Sequence, residues 1–390
     1  MKTPHITKVA IIHYWWLSNR GGEAVCSAIA ELYPDADIFI HVCDEQVVRQ
    51  ALPGNFQGKI GTTFISKLPK ARRHYQKYLP LMPLALEQLD LTPYDLIISS
   101  ESGPAKGVIT RPDAVHICYC HSPMRYVWDM YHEYLSGEGR FVRTLFPVIA
   151  HWLRVWDRLS ADRVDYFIAN STFVASRIRK FYRRDSEIIF PPVNVSDFNP
   201  RLERDDFYLC LGQLVAYKRA DMAVEAFNRL GLPLVVVGEG ELFESLTKIA
   251  APNVKLMGRQ PFSVIQDLLQ RCRGLIFPGM EDFGIVPVEA MAAGAPVIAY
   301  GKGGALDTVI HGKTGILFQE QSVDALMEAV RQLERGEFDF TPAEMHLHAQ
   351  RFAKPVFQQR IKAFVNQALT QTPSTERHDP GSPHEVRQHS

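Results

Sequence analysis

Residues 274–298, GLIFPGMEDFGIVPVEAMAAGAPVI, constrain the fold of this chain more than any other stretch. An apolar run that ends at Pro278 predicts a buried strand, and Pro287 suits the first turn of a helix. Gly294 and Pro296 would end that helix after about two turns, and a second apolar run follows at once. Strand, loop, helix and strand in direct succession are typical of a parallel α/β sheet.

Two carboxylates fall at one edge of this predicted unit. Glu281 lies in the loop after the first strand, and Glu289 lies on the helix eight residues later. Open α/β sheets bind ligands at the carboxyl ends of their strands, so both side chains would face one crevice. The backbone N–H groups of Phe283, Gly284 and Ile285 would form an anion site at the helix start. The alternative is an acidic pair that only complements the helix dipole.

Strand and helix signals alternate from residue 207 onward, which predicts a doubly wound parallel sheet. The length of 390 residues favours two domains, and the prolines at 191 and 192 indicate a crossing between them. We therefore predict a first α/β domain over residues 1–195 and a second over residues 196–352. A helix over residues 353–370 is expected to cross back to the first domain. Residues 371–390 have the composition of a disordered tail.

The overall charge excludes a global attraction to nucleic acid. Lys plus Arg and Asp plus Glu both total 43, so the formal net charge is zero. Lys8 interrupts the first apolar run, and no run of 18 apolar residues follows, so neither a signal peptide nor a membrane-spanning helix is expected. The sequence therefore predicts a cytoplasmic protein that does not bind nucleic acid.

Six scattered cysteines are best explained as the reduced thiols of a cytosolic protein. The group His116, Cys118, Cys120 and His121 invites a metal interpretation. On a strand, however, the first three share one face and His121 points away, and no second ligand pair lies at zinc spacing. We expect no metal site there.

The first half of the chain offers two further candidates. Gly21 and Gly22 follow the first predicted strand, where adjacent glycines let a phosphate or sugar approach the backbone, although a tight turn explains them equally well. His121 follows the predicted strand 114–120, at the sheet edge that places chemistry in α/β proteins. A structural histidine is the alternative.

A loop of the second half carries the corresponding candidates. The segment GQLVAYKR, residues 212–219, follows a predicted strand. Lys218 and Arg219 could neutralise a diphosphate there, whereas ordinary surface charge is the alternative.

A basic stretch interleaved with apolar residues lies between residues 67 and 91. A solvated helix face would explain it, and contact with an anionic bilayer or a lipid diphosphate is the alternative. Residues 142–159 predict one helix, whose tryptophans either pack in the core or lie in a membrane interface. The basic residues of the stretch are Lys67, Lys70, Arg72, Arg73 and Lys77.

Together these segments resemble the GT-B glycosyltransferases of family 4, retaining enzymes that use a nucleotide-sugar donor. The signature PGMEDFGIVPVEAMAAGAPVIA, with two glutamates separated by seven residues, carries the resemblance most specifically. CHSP at 120–123, GQLVAYKRADMAVEAF at 212–227, VVVGEGE at 235–241 and GGALDTVIHGKTGILF at 303–318 support it. The resemblance spans roughly residues 8–370. It implies the α/β GT-B fold, with two Rossmann-like doubly wound domains facing across a cleft, the first on the acceptor side and the second binding the donor.

The resemblance also implies roles for single residues. Glu289 would hold the ribose hydroxyls and Glu281 those of the transferred sugar, because a carboxylate accepts two hydrogen bonds from a diol. Lys218 and the backbone of residues 283–285 would meet the diphosphate, and His121 would reach the donor sugar across the cleft.

One position departs from the family pattern. Many family members carry arginine directly after the glycine that corresponds to Gly212, whereas this chain has Gln213. Arg219 would have to supply the missing positive charge.

Within the family, CYCHSPMRYVWDMY and GQLVAYKR look most like bacterial mannosyltransferases of O-antigen and exopolysaccharide assembly. This implies transfer of mannose from GDP-mannose to a lipid-linked or growing saccharide at the inner face of the cytoplasmic membrane, without a cofactor or metal. The leaving diphosphate would assist the incoming hydroxyl on the same face, so that positioning and charge stabilisation dominate catalysis. A GT-B sugar-nucleotide epimerase and a non-catalytic GT-B subunit of a polysaccharide assembly complex are the alternatives.

Overall fold

A parallel β-sheet forms the framework of the first half of the protein. The structure is a computed structural model that describes residues 8–19, 21–136 and 139–371. The strands of the first sheet are β1 Val9–Trp16, β2 Asp37–Cys43, β3 Ile60–Thr62, β4 Leu96–Glu101, β5 Val115–Cys120, β6 Tyr166–Ala169 and β7 Glu187–Ile188. They pair in parallel in the order β3-β2-β1-β4-β5-β6-β7.

The second half repeats this architecture with a smaller sheet. Its strands are β8 Tyr208–Leu211, β9 Leu234–Val237, β10 Val254–Leu256, β11 Gly274–Phe277, β12 Val297–Tyr300 and β13 Gly315–Phe318. All pair in parallel in the order β10-β9-β8-β11-β12-β13. The predicted pair of Rossmann-like doubly wound domains is therefore confirmed.

The helices connect the strands of each sheet and cover its faces. In the first half they are α1 Gly21–Leu32, α2 Glu45–Ala51, α3 Ala71–His74, α4 Met82–Glu87, α5 Tyr131–Ser136, α6 Arg140–Ser160 and α7 Thr172–Tyr182. In the second half they are α8 Ala220–Leu230, α9 Phe243–Ile249, α10 Phe262–Arg271, α11 Ile285–Ala292, α12 Ala305–Thr308, α13 Val323–Glu334, α14 Pro342–Ala349 and α15 Lys354–Gln371. None of these described helices combines the length and apolarity needed to cross a bilayer.

The order of the strands determines where a ligand can bind. In each sheet the chain adds strands first on one side of its initial strand and then on the other side. The change of side falls between β1 and β4 in the first sheet and between β8 and β11 in the second. Crevices of doubly wound sheets form outside the carboxyl ends of the strands at such a change of side. Strands β11 and β12 are buried along their whole length, which explains why their sequences are unbroken apolar runs.

Helix α15 returns to the first domain after the second sheet is complete. Phe357, Ile361 and Val365 are buried in the core of the first sheet, together with Ile11 of β1. Lys354 forms an ion pair with Glu31 of α1, with 2.8 Å between Lys354 Nζ and Glu31 Oε1. The structure thus places the helix predicted at 353–370 against the first domain. Except for residue 371, the predicted tail 371–390 lies outside the described residues.

Two segments of the first domain have a local structure that the sequence analysis did not define. Strand β1 extends to Trp16, whose side chain is fully buried in the core. The basic residues of the stretch 67–91 lie on short α and 3₁₀ turns, where their side chains are exposed.

The predicted single helix at 142–159 is confirmed as α6, but its two tryptophans differ. Trp156 is buried in the first domain, whereas the side chain of Trp152 is 45% exposed. Of the two alternatives for these side chains, core packing therefore applies to Trp156 and not to Trp152. All six cysteines lie in the described part of the chain, where each is buried and free.

Candidate active site

The first turns of two helices approach each other from opposite domains. An ideal Cβ atom on Gly21, the first residue of α1, would lie 2.7 Å from Cδ1 of Ile285, the first residue of α11. Gly284 precedes α11 with φ = +84°, a left-handed conformation that opposes any side chain. Each helix start carries partial positive charge and unsatisfied N–H groups, so a diphosphate bound beside this contact would be stabilised from both domains.

Lys218 and Glu281 form an ion pair between the segments that precede α8 and α11. Lys218 Nζ lies 2.9 Å from Glu281 Oε1, and both side chains are 20% exposed. Burial lowers the pKa of Lys218, but Glu281 more than offsets this, so that the pKa is raised and the ammonium stays charged. The amide of Gly304 donates a hydrogen bond of 2.8 Å to the backbone oxygen of Glu281, which fixes the acidic loop against the following glycine loop.

Glu289 occupies a more enclosed position on α11. Its pKa is raised to about 7, first by burial and then by the nearby carboxylate of Asp197. A buried carboxylate has lost the water that would hydrate it at the surface. Hydrogen bonds donated by ligand hydroxyls would therefore stabilise it. A vicinal diol, as found in a ribose, offers two such donors.

His121 faces the cleft from the first domain. Its Nε2 atom lies 2.8 Å from Ser100 Oγ, and its backbone amide donates a hydrogen bond of 2.7 Å to the Glu101 oxygen. An ideal Cβ on Gly22 would lie 3.6 Å from the same Nε2 atom, so the glycine leaves the ring accessible from the start of α1. Burial lowers the pKa of His121 to about 4, while Asp282 opposes this. The imidazole is therefore neutral at pH 7.

A buried hydrogen-bond chain holds His121 in place. Ser100 Oγ also lies 3.2 Å from Nδ1 of His13, and that nitrogen lies 3.2 Å from Cys26 Sγ. Burial is the main cause that lowers the pKa of His13 to about 3, so both imidazoles are neutral. Sequence reasoning missed Ser100 and His13, which are buried polar residues inside β4 and β1.

A second group missed from the sequence joins the two domains. Asp282, directly after Glu281, forms ion pairs with Arg125 and Arg177 of the first domain. Arg177 Nη1 lies 2.9 Å from Asp282 Oδ1 and donates a hydrogen bond of 2.6 Å to Ser122 Oγ. Burial lowers the pKa of Arg125, but Asp282 reverses this and raises it. The loop that carries Glu281 is thus bound to the domain that carries His121.

The remaining predicted residues lie nearby but differ in their contacts. An ideal Cβ on Gly212 would lie 3.3 Å from Lys218 Nζ, so this glycine borders the ion pair. Gln213 is exposed. Arg219 Nε lies 3.2 Å from Asp221, so the guanidinium is paired at the start of α8.

The side chain of Phe283 packs in the core of the second domain. Its ring centroid lies 5.7 Å from that of Phe190 and 5.6 Å from that of Phe352. Within the part of the chain that the structure describes, no three His, Cys, Asp or Glu side chains are grouped so as to hold a metal ion.

Comparison with known families divides the chain at the same place as the two sheets. The family described as "Glycosyltransferase Family 4" matches residues 19–197, and "Glycosyl transferases group 1" matches residues 195–353.

Curated relatives share moderate identity with the chain. A GDP-mannose-dependent alpha-(1-6)-phosphatidylinositol monomannoside mannosyltransferase of Mycobacterium tuberculosis is 32% identical over 211 residues, covering 45% of this chain and 54% of the relative. The alpha-1,3/1,6-mannosyltransferase ALG2 of Rhizomucor pusillus is 24% identical over 315 residues, covering 65% of this chain and 67% of the relative. The chain spans about half the length of the Mycobacterium tuberculosis relative. It likewise covers 54% of the uncharacterized glycosyltransferase MJ1178 of Methanocaldococcus jannaschii.

Solved structures share the fold along almost the whole chain. Anabaena Alr3699/HepE in complex with UDP aligns with a TM-score of 0.65 at 17% identity, covering 93% of this chain and 100% of that one. Sucrose-phosphate synthase of Thermosynechococcus elongatus aligns with a TM-score of 0.66 at 16% identity, covering 93% and 99%. The two family matches, the paired parallel sheets and the facing helix starts agree, and the chain belongs to the GT-B glycosyltransferases of family 4.

Proposed function

We propose that the protein is a retaining glycosyltransferase that moves mannose from GDP-mannose onto a lipid-linked or growing saccharide of a cell-surface polysaccharide. One observation carries the proposal. Lys218, Glu281 and the start of α11 lie on one wall of a cleft whose other wall carries His121 and the start of α1. Positive charge for a diphosphate and acceptors for sugar hydroxyls are thereby combined in one site.

The reaction breaks the bond between the anomeric carbon and the diphosphate oxygen. The acceptor hydroxyl forms the new bond on the same face, and its proton passes to the leaving diphosphate. Lys218 and the two helix starts stabilise the charge that develops on this diphosphate, and no metal ion is needed for that purpose. Glu281 and the neutral His121 position the sugar. Activity should therefore be unchanged after treatment with EDTA.

The choice of mannose is supported by the relatives. Two of them are named as mannosyltransferases, one of them GDP-mannose-dependent. The acceptor is a proposal of the same kind, and the exposed basic side chains of residues 67–77 support a position at the inner face of the cytoplasmic membrane. Each basic residue near an anionic surface contributes about 1 kcal/mol to binding.

A panel of nucleotide sugars tests the donor. The full chain is incubated with GDP-mannose, UDP-glucose, UDP-galactose or UDP-N-acetylglucosamine together with lipid-linked saccharide acceptors, and the products are separated by mass. Transfer from GDP-mannose is expected. Transfer from UDP-sugars alone would refute the GDP-mannose assignment. Isomerisation of a nucleotide sugar without an acceptor would indicate an epimerase, and binding without turnover would indicate a non-catalytic subunit.

Two substitutions test the site. Glu281→Ala and Glu289→Ala should each reduce transfer by about two orders of magnitude or more, since each removes acceptors for donor hydroxyls. The matched control is Glu203→Ala, which removes an exposed carboxylate remote from the cleft. If the two variants transferred at the rate of the control, neither glutamate would belong to the donor site.

A further inference from the structure

Two buried side chains on neighbouring strands lie behind His121. His13 of β1 and Ser100 of β4 are Cα partners in the first sheet, and both are fully buried. Ser100 Oγ lies 2.8 Å from His121 Nε2 and 3.2 Å from His13 Nδ1. One hydroxyl group therefore bridges two imidazole rings, and the direction in which it donates its proton determines which nitrogen of His121 is protonated.

The distances on the two sides of Ser100 indicate that direction. A hydroxyl group has one proton, so it donates one hydrogen bond and can accept others. Hydrogen bonds from O–H donors are the shorter kind, most often about 2.7–2.8 Å, whereas N–H···O bonds extend to about 3.2 Å. The contact of 2.8 Å with His121 Nε2 fits donation by Ser100. The contact of 3.2 Å with His13 Nδ1 fits donation from that ring to Ser100.

The surroundings of His13 favour the same direction. Burial lowers the pKa of His13 to about 3, so the ring carries a single proton. Its Nε2 atom is buried and has no hydrogen-bond partner among the described residues. A buried N–H group without an acceptor is rare, because it has lost its hydrogen bonds to water. The proton therefore belongs on Nδ1, where Ser100 Oγ and Cys26 Sγ, each at 3.2 Å, can accept it.

This chain of hydrogen bonds fixes the tautomer of His121. Burial lowers the pKa of His121 to about 4, so this ring also carries a single proton. Because Nε2 accepts from Ser100, the proton lies on Nδ1, and Nδ1 is the nitrogen that remains for a ligand. An N–H group at that position can donate to the oxygen of a hydroxyl, but it cannot accept a proton from one.

We propose that His13 and Ser100 are positioning residues that keep the proton of His121 on Nδ1, so that His121 meets a sugar hydroxyl as a hydrogen-bond donor and not as a base. The inference rests on the proposed function only for the identity of the ligand, since the direction of the hydrogen bonds is a property of the free protein. It leaves the proton of the acceptor hydroxyl to the departing diphosphate. A neutral ring also adds no positive charge beside the anomeric carbon, where positive charge develops during glycosyl transfer.

The tautomer of His121 can be measured by NMR spectroscopy. The full chain is produced with histidine that carries the heavy nitrogen isotope in its ring, and long-range proton–nitrogen correlation spectra show which ring nitrogen is protonated. The signals of His121 are those that disappear in His121→Asn. In the free wild type we expect the proton of His121 on Nδ1. A proton on Nε2 would overturn the proposal.

Two substitutions interrupt the chain of hydrogen bonds at different points. Ser100→Ala removes the bridging hydroxyl, and His13→Leu removes the donor behind it. Each should lower kcat by about tenfold or more and change the donor KM less, because the sugar still binds while His121 is no longer held as a donor. The spectra of both variants should show His121 as a mixture of its two tautomers. His13→Asn should restore much of kcat, because the amide nitrogen of asparagine takes the place of Nδ1 and can donate to Ser100.

His41→Leu is the matched control. His41 is buried on β2 of the same sheet, where its ring contacts Thr63 Oγ1 at 3.0 Å and the Pro104 oxygen at 3.1 Å. It should lose stability in thermal melting as His13→Leu does, but keep the kcat and the His121 tautomer of the wild type. If Ser100→Ala and His13→Leu also kept both, the proposal would be wrong. A protein that transfers no mannose but shows the Nδ1 proton in the wild type and its loss in Ser100→Ala would support this inference and reject only the proposed function.

Discussion

At the scale of single residues, the ionisation of Glu289 should make the stability of the protein depend on pH. Burial and Asp197 raise its pKa from the usual value of 4.5 to about 7. Because the folded pKa lies above the unfolded one, the contribution of Glu289 to stability is complete below pH 4.5 and is lost as the pH rises through 7. The loss amounts to at most about 3 kcal/mol, at 1.36 kcal/mol for each pKa unit.

Glu289→Gln should therefore affect stability and binding in opposite directions. The amide cannot ionise, so the free variant should melt at a higher temperature than the wild type at pH 8 and at nearly the same temperature at pH 4. Its affinity for the donor should fall, since one strong acceptor for the ribose diol is lost. Melting curves and donor titrations across this pH range measure both effects. A wild type and a variant with parallel pH profiles would contradict the assigned pKa.

Gly22 tests how closely the donor approaches His121. In Gly22→Ala the new methyl group would lie 2.5 Å from Tyr14 Oη and 3.6 Å from His121 Nε2. We expect transfer to fall by about tenfold or more, as small displacements of reacting groups have large effects on rate. Gly54→Ala is the control, because a Cβ atom there meets nothing within 4 Å. Initial rates at saturating donor are measured for both variants. Equal rates would show that Gly22 does not border the donor site.

At the scale of elements, the loop before α11 is bound to the opposite domain through Asp282. Its carboxylate is buried between Arg125 and Arg177, whereas Asp307 makes a more exposed contact across the same boundary, to Thr172. Removal of one partner from a buried ion pair is costly because the other charge stays desolvated.

Asp282→Asn should therefore act on both stability and catalysis. We expect a loss of about 3–5 kcal/mol in the free energy of unfolding. The KM for the donor should rise by about tenfold, because Glu281 is no longer held toward the first domain. Asp307→Asn, which alters only the exposed hydrogen bonds from the amide and hydroxyl of Thr172, should cost about 1 kcal/mol and leave KM nearly unchanged. Urea unfolding and steady-state rates give these values. Equal losses of stability and equal KM values for the two variants would show that Asp282 does not hold the Glu281 loop to the first domain.

Prediction from sequence succeeded where the signal is local. Strands β9, β11 and β12 are short apolar runs next to glycine or proline, and a run of this kind rarely adopts another structure. It failed for Arg125 and Arg177, which lie 157 and 105 residues from Asp282 in the chain. No periodicity connects residues at such distances. Trp152 and Trp156 were also indistinguishable, since only the packing of α6 decides which face is inward.

At the scale of the whole molecule, α15 makes the two halves interdependent. Its apolar residues complete the core of the first sheet, although the chain reaches α15 only after passing through the second domain. The backbone also links the crossing segments, where Val193 and Ala353 pair in a parallel bridge.

Phe357→Ala measures this dependence. The ring is buried among residues of the first core and contacts Tyr119 edge-on at 5.8 Å between centroids. Its removal should lower the free energy of unfolding by about 3–5 kcal/mol. Leu347→Ala, at an exposed position on α14, should change it little. Urea unfolding followed by circular dichroism gives the comparison, and similar midpoints would show that α15 is not part of that core.

The position of α15 has a consequence for the order of events on the ribosome. The first seven strands leave the exit tunnel early, but the helix that closes their core is among the last parts of the described chain to be made. Domains generally fold as units as they emerge, and an open core exposes apolar surface until it is complete. The apolar core of the nascent first domain therefore stays partly exposed while the second domain is synthesised. A chaperone that binds exposed apolar surface would act during this interval.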